Sequence, residues 1–310
     1  MNLLRDWKSL PSAARGGAVS IGNFDGVHQG HARLVAQLTA QARRLGGPAV
    51  VFTFEPHPVR LLRPDSAPPP LTWIDRKAEL LGELGVDWVF AYPTDQALLN
   101  KSARAFFEEI VCGRLQAQAL VEGPNFFFGH DRLGTVDVLR QFCAEAQLHL
   151  EIMQPLRLDG ELVSSSRIRQ LIQLGAMAEA ARLLTQPYRI RGMVTHGAGR
   201  GATIGFPTAN LAAVDTLIPA AGVYAGLAYV AGERYAAAIN IGPNPTFGDP
   251  QQKIEVHLLD LQRSLYGQPL EVDFSARLRD IQAFAGVEAL QTQLAQDVLA
   301  ARQLAVPRLA

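Results

Sequence analysis

The chain has little cysteine, no excess of charge and no long hydrophobic run, and each absence excludes a class of protein. Only Cys112 and Cys143 occur in 310 residues. Two thiols so far apart make neither a disulfide framework nor a cysteine metal site, and they suit a reducing cytosol. Lys and Arg total 29, Asp and Glu total 29, and the formal net charge is zero. The basic footprint of a nucleic-acid binder is therefore missing, and clusters such as Arg43-Arg44 read as solvated faces. The apolar run 218–231 is too short to span a bilayer and is broken by Pro219, Gly222 and Gly226, so it reads as a strand. Residues 1–14 lack the layout of a signal peptide, and no internal repeat is visible. What is present is ordinary globular material, 48% hydrophobic and 19% charged, enough for a sizeable core in one or two domains.

The first half alternates strand and helix. Apolar runs at 18–21, 49–54, 88–92, 119–122 and 148–153 are separated by amphipathic stretches at 33–45, 76–84, 103–115 and 136–146. That order predicts a parallel sheet covered by helices on both faces, with ligands at the carboxyl ends of its strands. Beyond Gln186-Pro187 the segments become short and strand-like, at 188–194, 222–230, 235–241, 253–259 and 270–274, before a closing helix from Val287. This reads as a β-barrel or sandwich, giving an α/β domain over 1–185 and a β-rich domain over 186–310.

The stretch Gly22-Asn23-Phe24-Asp25-Gly26-Val27-His28-Gln29-Gly30-His31 stands where the first of these strands turns into a helix. His28 and His31 are three apart and share a face as the helix begins, Gly26 and Gly30 admit close approach to the backbone, and free N–H groups attract anions. The group suits a triphosphate, although His-x-Gly-His alone could be an ordinary turn. Ser164-Ser165-Ser166-Arg167-Ile168-Arg169 follows the last strand of the domain. Ser166 is a candidate N-cap, with Gly175 closing the helix, while Arg167 and Arg169 offer forked donors to phosphate. A phosphate nucleophile attacking the α-phosphate of ATP is already ionised near neutral pH and needs alignment and charge neutralisation rather than a base. Asn125 beside the Phe126-Phe127-Phe128 run, and His57 between two prolines, occupy strand ends where an aromatic wall could stack on a flat ring; core packing is the alternative for the phenylalanines.

In the second half, His196-Gly197-Ala198-Gly199-Arg200-Gly201 is a glycine-rich loop that matches neither a Walker A nor a dinucleotide fingerprint. Thr208 and Asn210 would point to one face of an extended segment and offer hard oxygens to Mg²⁺, or hold a polar turn. Glu255, inside an apolar strand, either faces solvent with Lys253 and His257 or serves as general base for an alcohol attacking a γ-phosphate.

These motifs in this order resemble the bacterial bifunctional riboflavin kinase/FMN adenylyltransferases, the prokaryotic-type FAD synthetases, from about Gly17 to the C-terminus. The resemblance rests on Gly22–His31, Phe54–Pro58, Gly123–Gly129, Ser164–Arg169, His196–Asn210, Asn240–Phe247, Glu255–Asp260, Leu265-Tyr266-Gly267 and Arg279–Phe284. It implies an α/β nucleotidylyltransferase domain followed by a six-stranded β-barrel kinase with a terminal helix. It assigns catalysis of the adenylyl transfer to His28, His31, Asn125 and Arg167, ATP phosphates to Gly22, Asn23, Phe24, Asp25, Gly26, Gly30, Ser164, Ser165, Ser166 and Arg169, and the flavin to Phe54, Pro56, His57, Phe128 and Arg279. In the kinase it implies Thr208 and Asn210 on Mg²⁺–ATP, Gly197, Gly199, Arg200 and Gly201 over phosphates, and Glu255 as base. The implied substrates are riboflavin, FMN and ATP in a cytoplasmic enzyme with no nucleic-acid or membrane partner and at most weak or transient self-association. Relatives often carry a basic residue where this chain has Phe127, a Thr at Ser166 and Lys or Arg at Ala283. A kinase whose first domain only binds flavin or nucleotide is the alternative. An aminoacyl-tRNA synthetase relative is disfavoured by neutral charge and the missing Lys-Met-Ser-Lys-Ser motif, and a non-catalytic flavin-binding protein by Glu255 beside a Thr-x-Asn pair.

Overall fold

The computed structural model describes residues 1–244, 246 and 249–309; Pro245 and Phe247 of the Asn240–Phe247 motif lie outside the described residues. The chain forms two compact units, one of residues 1–68 and 73–164, the other of 69–72 and 165–310.

The first unit is built on six parallel strands: β1 (Asn2–Leu4), β2 (Ala18–Ile21), β3 (Ala49–Glu55), β4 (Trp88–Pro93), β5 (Ala119–Glu122) and β6 (His149–Ile152), in the order β1-β4-β3-β2-β5-β6. Period-two alternation divides each central strand between two cores. In β3, Val50 and Phe52 enter a cluster with Phe90, Phe106 and Leu120, while Ala49 and Val51 enter one with Leu38, Leu81 and Val89. Helices α1 (Gln29–Leu45), α2 (Val59–Leu62), α3 (Ile74–Glu83), α4 (Gln96–Leu99), α5 (Ala103–Phe106) and α6 (Val136–Glu145) connect the strands. The single helix expected over 103–115 is instead one α-turn that widens into a π-helix over Phe107–Arg114. β1 was not expected, because three residues at a sheet edge carry no readable period. A small hairpin, β7 (Arg157–Leu158) with β8 (Glu161–Leu162), follows β6.

Strand order reverses at β2, with β3 on one side and β5 on the other, which is where open α/β sheets bind ligands. The β2–β5 ladder pairs only Ala18 with Ala119 and Val19 with Leu120. Further along, the Ile21 N–H donates to the Glu122 carboxyl at 2.7 Å.

The second unit contains a closed barrel of β9 (Arg189–Thr195), β10 (Ala209–Ala212), β11 (Gly222–Val230), β12 (Glu233–Asn244), β13 (Asp249–Leu258) and β14 (Pro269–Arg279), in the order β10-β13-β12-β11-β14-β9. Its interior holds Tyr224, Ile239, Val256, Val272 and Phe274, none of them exposed. Five of these strands coincide with the apolar segments read from the sequence. β10, with four residues of which only Leu211 is a large apolar side chain, is too short to have declared itself. Helices α7 (Ser165–Gln173), α8 (Met177–Leu183), α9 (Arg200–Thr203) and α10 (Val287–Leu309) complete the unit. α7 begins at Ser165, so Ser166 lies in its first turn rather than at the N-cap, and Ser164 takes the position before it. Gly175, at φ +73°, ends the helix as expected, because a left-handed residue there costs glycine nothing in side-chain clash. Among the described residues no helix is long and apolar enough to cross a membrane.

Candidate functional site

In the first unit the chain leaves β2 through a tight loop. Phe24 and Val27 adopt φ of +47° and +37°, which non-glycine residues rarely do, alongside Gly26 at +83°. Both side chains are buried in the core and hold the loop in that shape. Asp25 is buried as well. The loop delivers His28 to the N-cap of α1. There the His31 N–H donates to His28 Nδ1 and the His28 N–H donates to His31 Nδ1, each at 3.3 Å, a capping box made of two imidazoles. The rings stack 3.6 Å apart at 13°. A Cβ on Gly30 would meet the His28 ring at 3.1 Å, so glycine leaves room for the stack.

This geometry sets the protonation state. An Nδ1 that accepts from a backbone N–H carries no proton, so each neutral ring bears its hydrogen on Nε2 and presents a donor beyond the helix end. Burial pushes His28 down to about 4 against the favourable pull of Asp25. Burial, then His28 and then Lys77 drive His31 well below the ordinary imidazole range. The pair is thus two neutral N–H donors at physiological pH. Because His28 titrates lower folded than unfolded, acid binds the unfolded chain first. Stability is complete above the ordinary value of 6.5 and is lost as pH falls toward about 4. At 1.36 kcal/mol per pH unit that loss is about 3 kcal/mol. Urea unfolding of the first unit measured between pH 7 and pH 4.5 should therefore fall more steeply in wild type than in His28→Asn; parallel curves would refute the assignment.

Asn23 carries a buried Oδ1 with no hydrogen-bond partner among the described residues, an acceptor left for a ligand or water. Phe54 packs partly buried against the core, edge-on to Phe52. The Pro56 carbonyl accepts from the Thr94 hydroxyl at 2.7 Å, and His57 Nδ1 accepts from the Val59 N–H at 3.1 Å, shaping the first turn of α2. The three phenylalanines divide. Phe128 is buried among Phe106 and Phe142, Phe126 stacks on it at 5.3 Å, and Phe127 is exposed. The Arg132 guanidinium lies 4.3 Å over the Phe127 ring, so the loop carries a positive charge beside that exposed ring. Asn125 is exposed beside it. Ser164 closes the first unit, whereas Ser165, Ser166, Arg167 and Arg169 stand on α7 of the second, where Arg169 Nε donates to the Pro69 carbonyl at 3.2 Å.

In the second unit a cavity of about 220 Å³ opens on the outer face of the barrel. Alternation along β13 places Ile254 and Val256 in the barrel core and Glu255 on this cavity, not in open solvent. Glu255 pairs across the sheet with Asn210 of β10 and Asn240 of β12. Asn244 Nδ2 donates to Glu255 Oε2 at 2.9 Å and Asn240 Nδ2 reaches the same oxygen at 3.4 Å. These two amides orient the carboxylate, a role that sequence inspection missed because asparagines in a Gly-Pro-rich turn look like turn residues.

Thr208, Asn210, Gly197, Gly199, Arg200 and Gly201 line the same cavity. Two glycines are required by close approach: a Cβ on Gly197 would collide with the Asn210 amide, and one on Gly201 with the Phe206 carbonyl. Arg279 also borders the cavity. Asp297 of α10 grips its guanidinium at 2.8 Å, and the guanidinium lies 5.6 Å from the Phe284 ring centre. Among the described residues no group of three or more His, Cys, Asp or Glu could hold a metal. The oxygens of Thr208, Asn210 and Glu255 are hard donors of the kind that share Mg²⁺ with nucleotide phosphates.

The family described as FAD synthetase matches residues 10–167, and the family described as riboflavin kinase matches residues 184–305. The bifunctional riboflavin kinase/FMN adenylyltransferase of Pseudomonas fluorescens is 39% identical over 308 residues, covering 99% of both chains. The Escherichia coli K12 protein of the same name is 36% identical over 305 residues, covering 98% of this chain and 97% of the relative. A solved structure described as a macrolide-efflux protein from Streptococcus pneumoniae superposes with a TM-score of 0.85 at 30% identity, covering 97% of this chain and 98% of that one. Two catalytic families in tandem and relatives of nearly equal length lead to one conclusion: the chain belongs to the bifunctional riboflavin kinase/FMN adenylyltransferase family.

Proposed function

We propose that the chain makes FMN and then FAD, in the cytoplasm, with residues 186–310 phosphorylating riboflavin and residues 1–185 adenylylating FMN. The observation that carries the kinase assignment is the single cavity shared by Glu255, Thr208 and Asn210. A riboflavin hydroxyl is a poor nucleophile at neutral pH, and Glu255, held through Oε2 by Asn244 and Asn240, accepts its proton as the oxygen bonds to the γ-phosphorus of ATP, the bond from that phosphorus to the β–γ bridging oxygen breaks and ADP leaves. Thr208 and Asn210 would hold Mg²⁺, which when bound neutralises nucleotide phosphate charge. Gly197, Gly199, Arg200 and Gly201 bring backbone and guanidinium donors to the phosphates, and the Arg279–Phe284 pair borders the flavin.

In the adenylyl transfer the FMN phosphate forms a new bond to the α-phosphorus of ATP while the bond to the bridging oxygen breaks and pyrophosphate leaves. No proton has to be removed from the nucleophile. The Nε2–H donors of His28 and His31 and the N-terminus of α1 stabilise charge on the phosphates, and they are fixed before the reaction by the capping box. Gly22–Gly26 and Gly30 let phosphate approach the backbone. Asn125, Ser164, Ser165, Ser166, Arg167 and Arg169 are assigned to ATP, and Phe54, Pro56, His57 and Phe128 to the flavin.

Incubating the protein with riboflavin, ATP and Mg²⁺ and resolving the flavins by chromatography tests both assignments together. FMN should rise first and FAD should follow at its expense. FMN that accumulates without FAD would remove the adenylyltransferase from the proposal and return the first domain to a binding role.

A further inference from the structure

Lys77 is a cation that neither reading of the chemistry has used. It sits on the buried face of α3 with Ile74, Ala78 and Leu81, and only 6% of it is exposed. Its neighbour Arg76 is just as buried but has an evident structural partner, Glu79 at 2.7 Å. Lys77 has none: among the described residues no side chain hydrogen-bonds or ion-pairs with its ammonium. The carboxylates of Asp25 and Glu55 act on it only across space. It in turn acts electrostatically on His31. Lys77 and Asp25 are therefore the charged members of one electrostatic group that also holds the neutral His28 and His31, residues of the loop that leaves β2 and of the start of α1.

A largely buried lysine without an ion pair carries an uncompensated desolvation cost, and methionine or leucine would fill the same place on α3 without that penalty. An anionic ligand would remove the penalty. Such a ligand is what the adjoining groups are arranged to receive. The two imidazoles are neutral donors, because each Nδ1 already accepts a backbone hydrogen bond. They can hydrogen-bond to phosphate oxygens but cannot neutralise the charge that accumulates on a departing pyrophosphate. A full positive charge close to them supplies what they lack.

We propose that Lys77 is a phosphate-contact residue of the adenylyl transfer site, its ammonium binding the part of ATP that leaves as pyrophosphate. The proposal rests on the adenylyltransferase reading given above. Lys77 exchanges no proton with the reacting atoms; it stays an ammonium while the bridging P–O bond breaks and charge moves onto the pyrophosphate beside it. Burial holds its pKa below the ordinary lysine value, and Asp25 and Glu55 oppose that shift, so the arriving triphosphate finds a poorly solvated cation.

The test uses the full chain, FMN, ATP and Mg²⁺, with Lys77→Met and Lys77→Arg. Lys77→Met keeps length and apolar fit, and riboflavin kinase activity in the same preparation checks the second domain. In Lys77→Met, kcat/KM for ATP in FAD formation should fall about 100-fold, the usual scale for losing one charge-stabilising donor. Inhibition by pyrophosphate should weaken with it, inhibition by adenosine should not change, and Lys77→Arg should recover most of the loss. Unchanged FAD formation in Lys77→Met would overturn the proposal. So would equal weakening of pyrophosphate and adenosine inhibition, because that is what a merely structural lysine predicts. Wild type that forms no FAD at all would overturn the adenylyltransferase reading itself.

Discussion

Replacing Glu255 with Gln should lower FMN formation from riboflavin by about 100- to 10,000-fold while leaving FAD formation from supplied FMN unchanged. The substitution preserves shape, and its amide oxygen can still accept from Asn244, so β13 and its pairing with β10 and β12 have no reason to move. What disappears is the capacity to take a proton from the attacking hydroxyl. The loss should appear in kcat with riboflavin saturating, since binding does not need the carboxylate's basicity. Initial rates of the two half-reactions in one preparation decide the matter. A variant that keeps more than a tenth of wild-type kinase turnover would place the base elsewhere.

Replacing His28 with Asn should lower FAD formation by about 100- to 1,000-fold and leave the kinase alone. The choice of Asn separates two roles that Ala would confuse. Asn is a good N-cap and can take over the hydrogen bond from the His31 N–H, whereas Ala would also remove about 1 kcal/mol of helix capping. Asn cannot place a donor where the imidazole Nε2–H stands, beyond the helix end. If His28→Asn retained wild-type FAD formation, the histidine pair would be a capping device and no more. Steady-state rates with varied ATP, read beside thermal unfolding of the same samples, distinguish the two.

The sequence carried the architecture wherever side-chain period was expressed over enough residues. β2, β5 and β11 match the apolar runs that predicted them, because the first two are buried along their whole length, the third everywhere but Tyr229, and all are bounded by glycine or a turn. The site was legible where residue type is chemically unusual, as in the histidine pair, and where alternation left only two choices for Glu255. Other features depended on tertiary packing. The stretch around Lys77 reads as an amphipathic helix with a charged outer face, yet α3 buries Arg76 and Lys77 on the inside. The usual N-cap residues are Ser, Thr, Asp and Asn, so nothing in the composition announced a histidine capping α1. Arg132 over Phe127 depends on a loop in which Asp131 and Arg132 both take positive φ, a conformation without a sequence signature.

Glu122 gives the first unit a property that its strand order alone would not. Two parallel strands joined along their whole length leave no entrance at the sheet centre. Here the hydrogen-bonded seam between β2 and β5 closes at its lower end and is then held by a side chain, because the Ile21 N–H takes the Glu122 carboxyl as its acceptor. Complete burial pushes that carboxyl well above the ordinary carboxylate range, against the opposing pull of the Ile21 hydrogen bond, and so favours the uncharged acid. An ionised carboxylate in the same place would set a fixed negative charge beneath the loop assigned to a polyanionic nucleotide. The uncharged form that burial favours fastens the two strands and would not repel an anion bound at the loop above them.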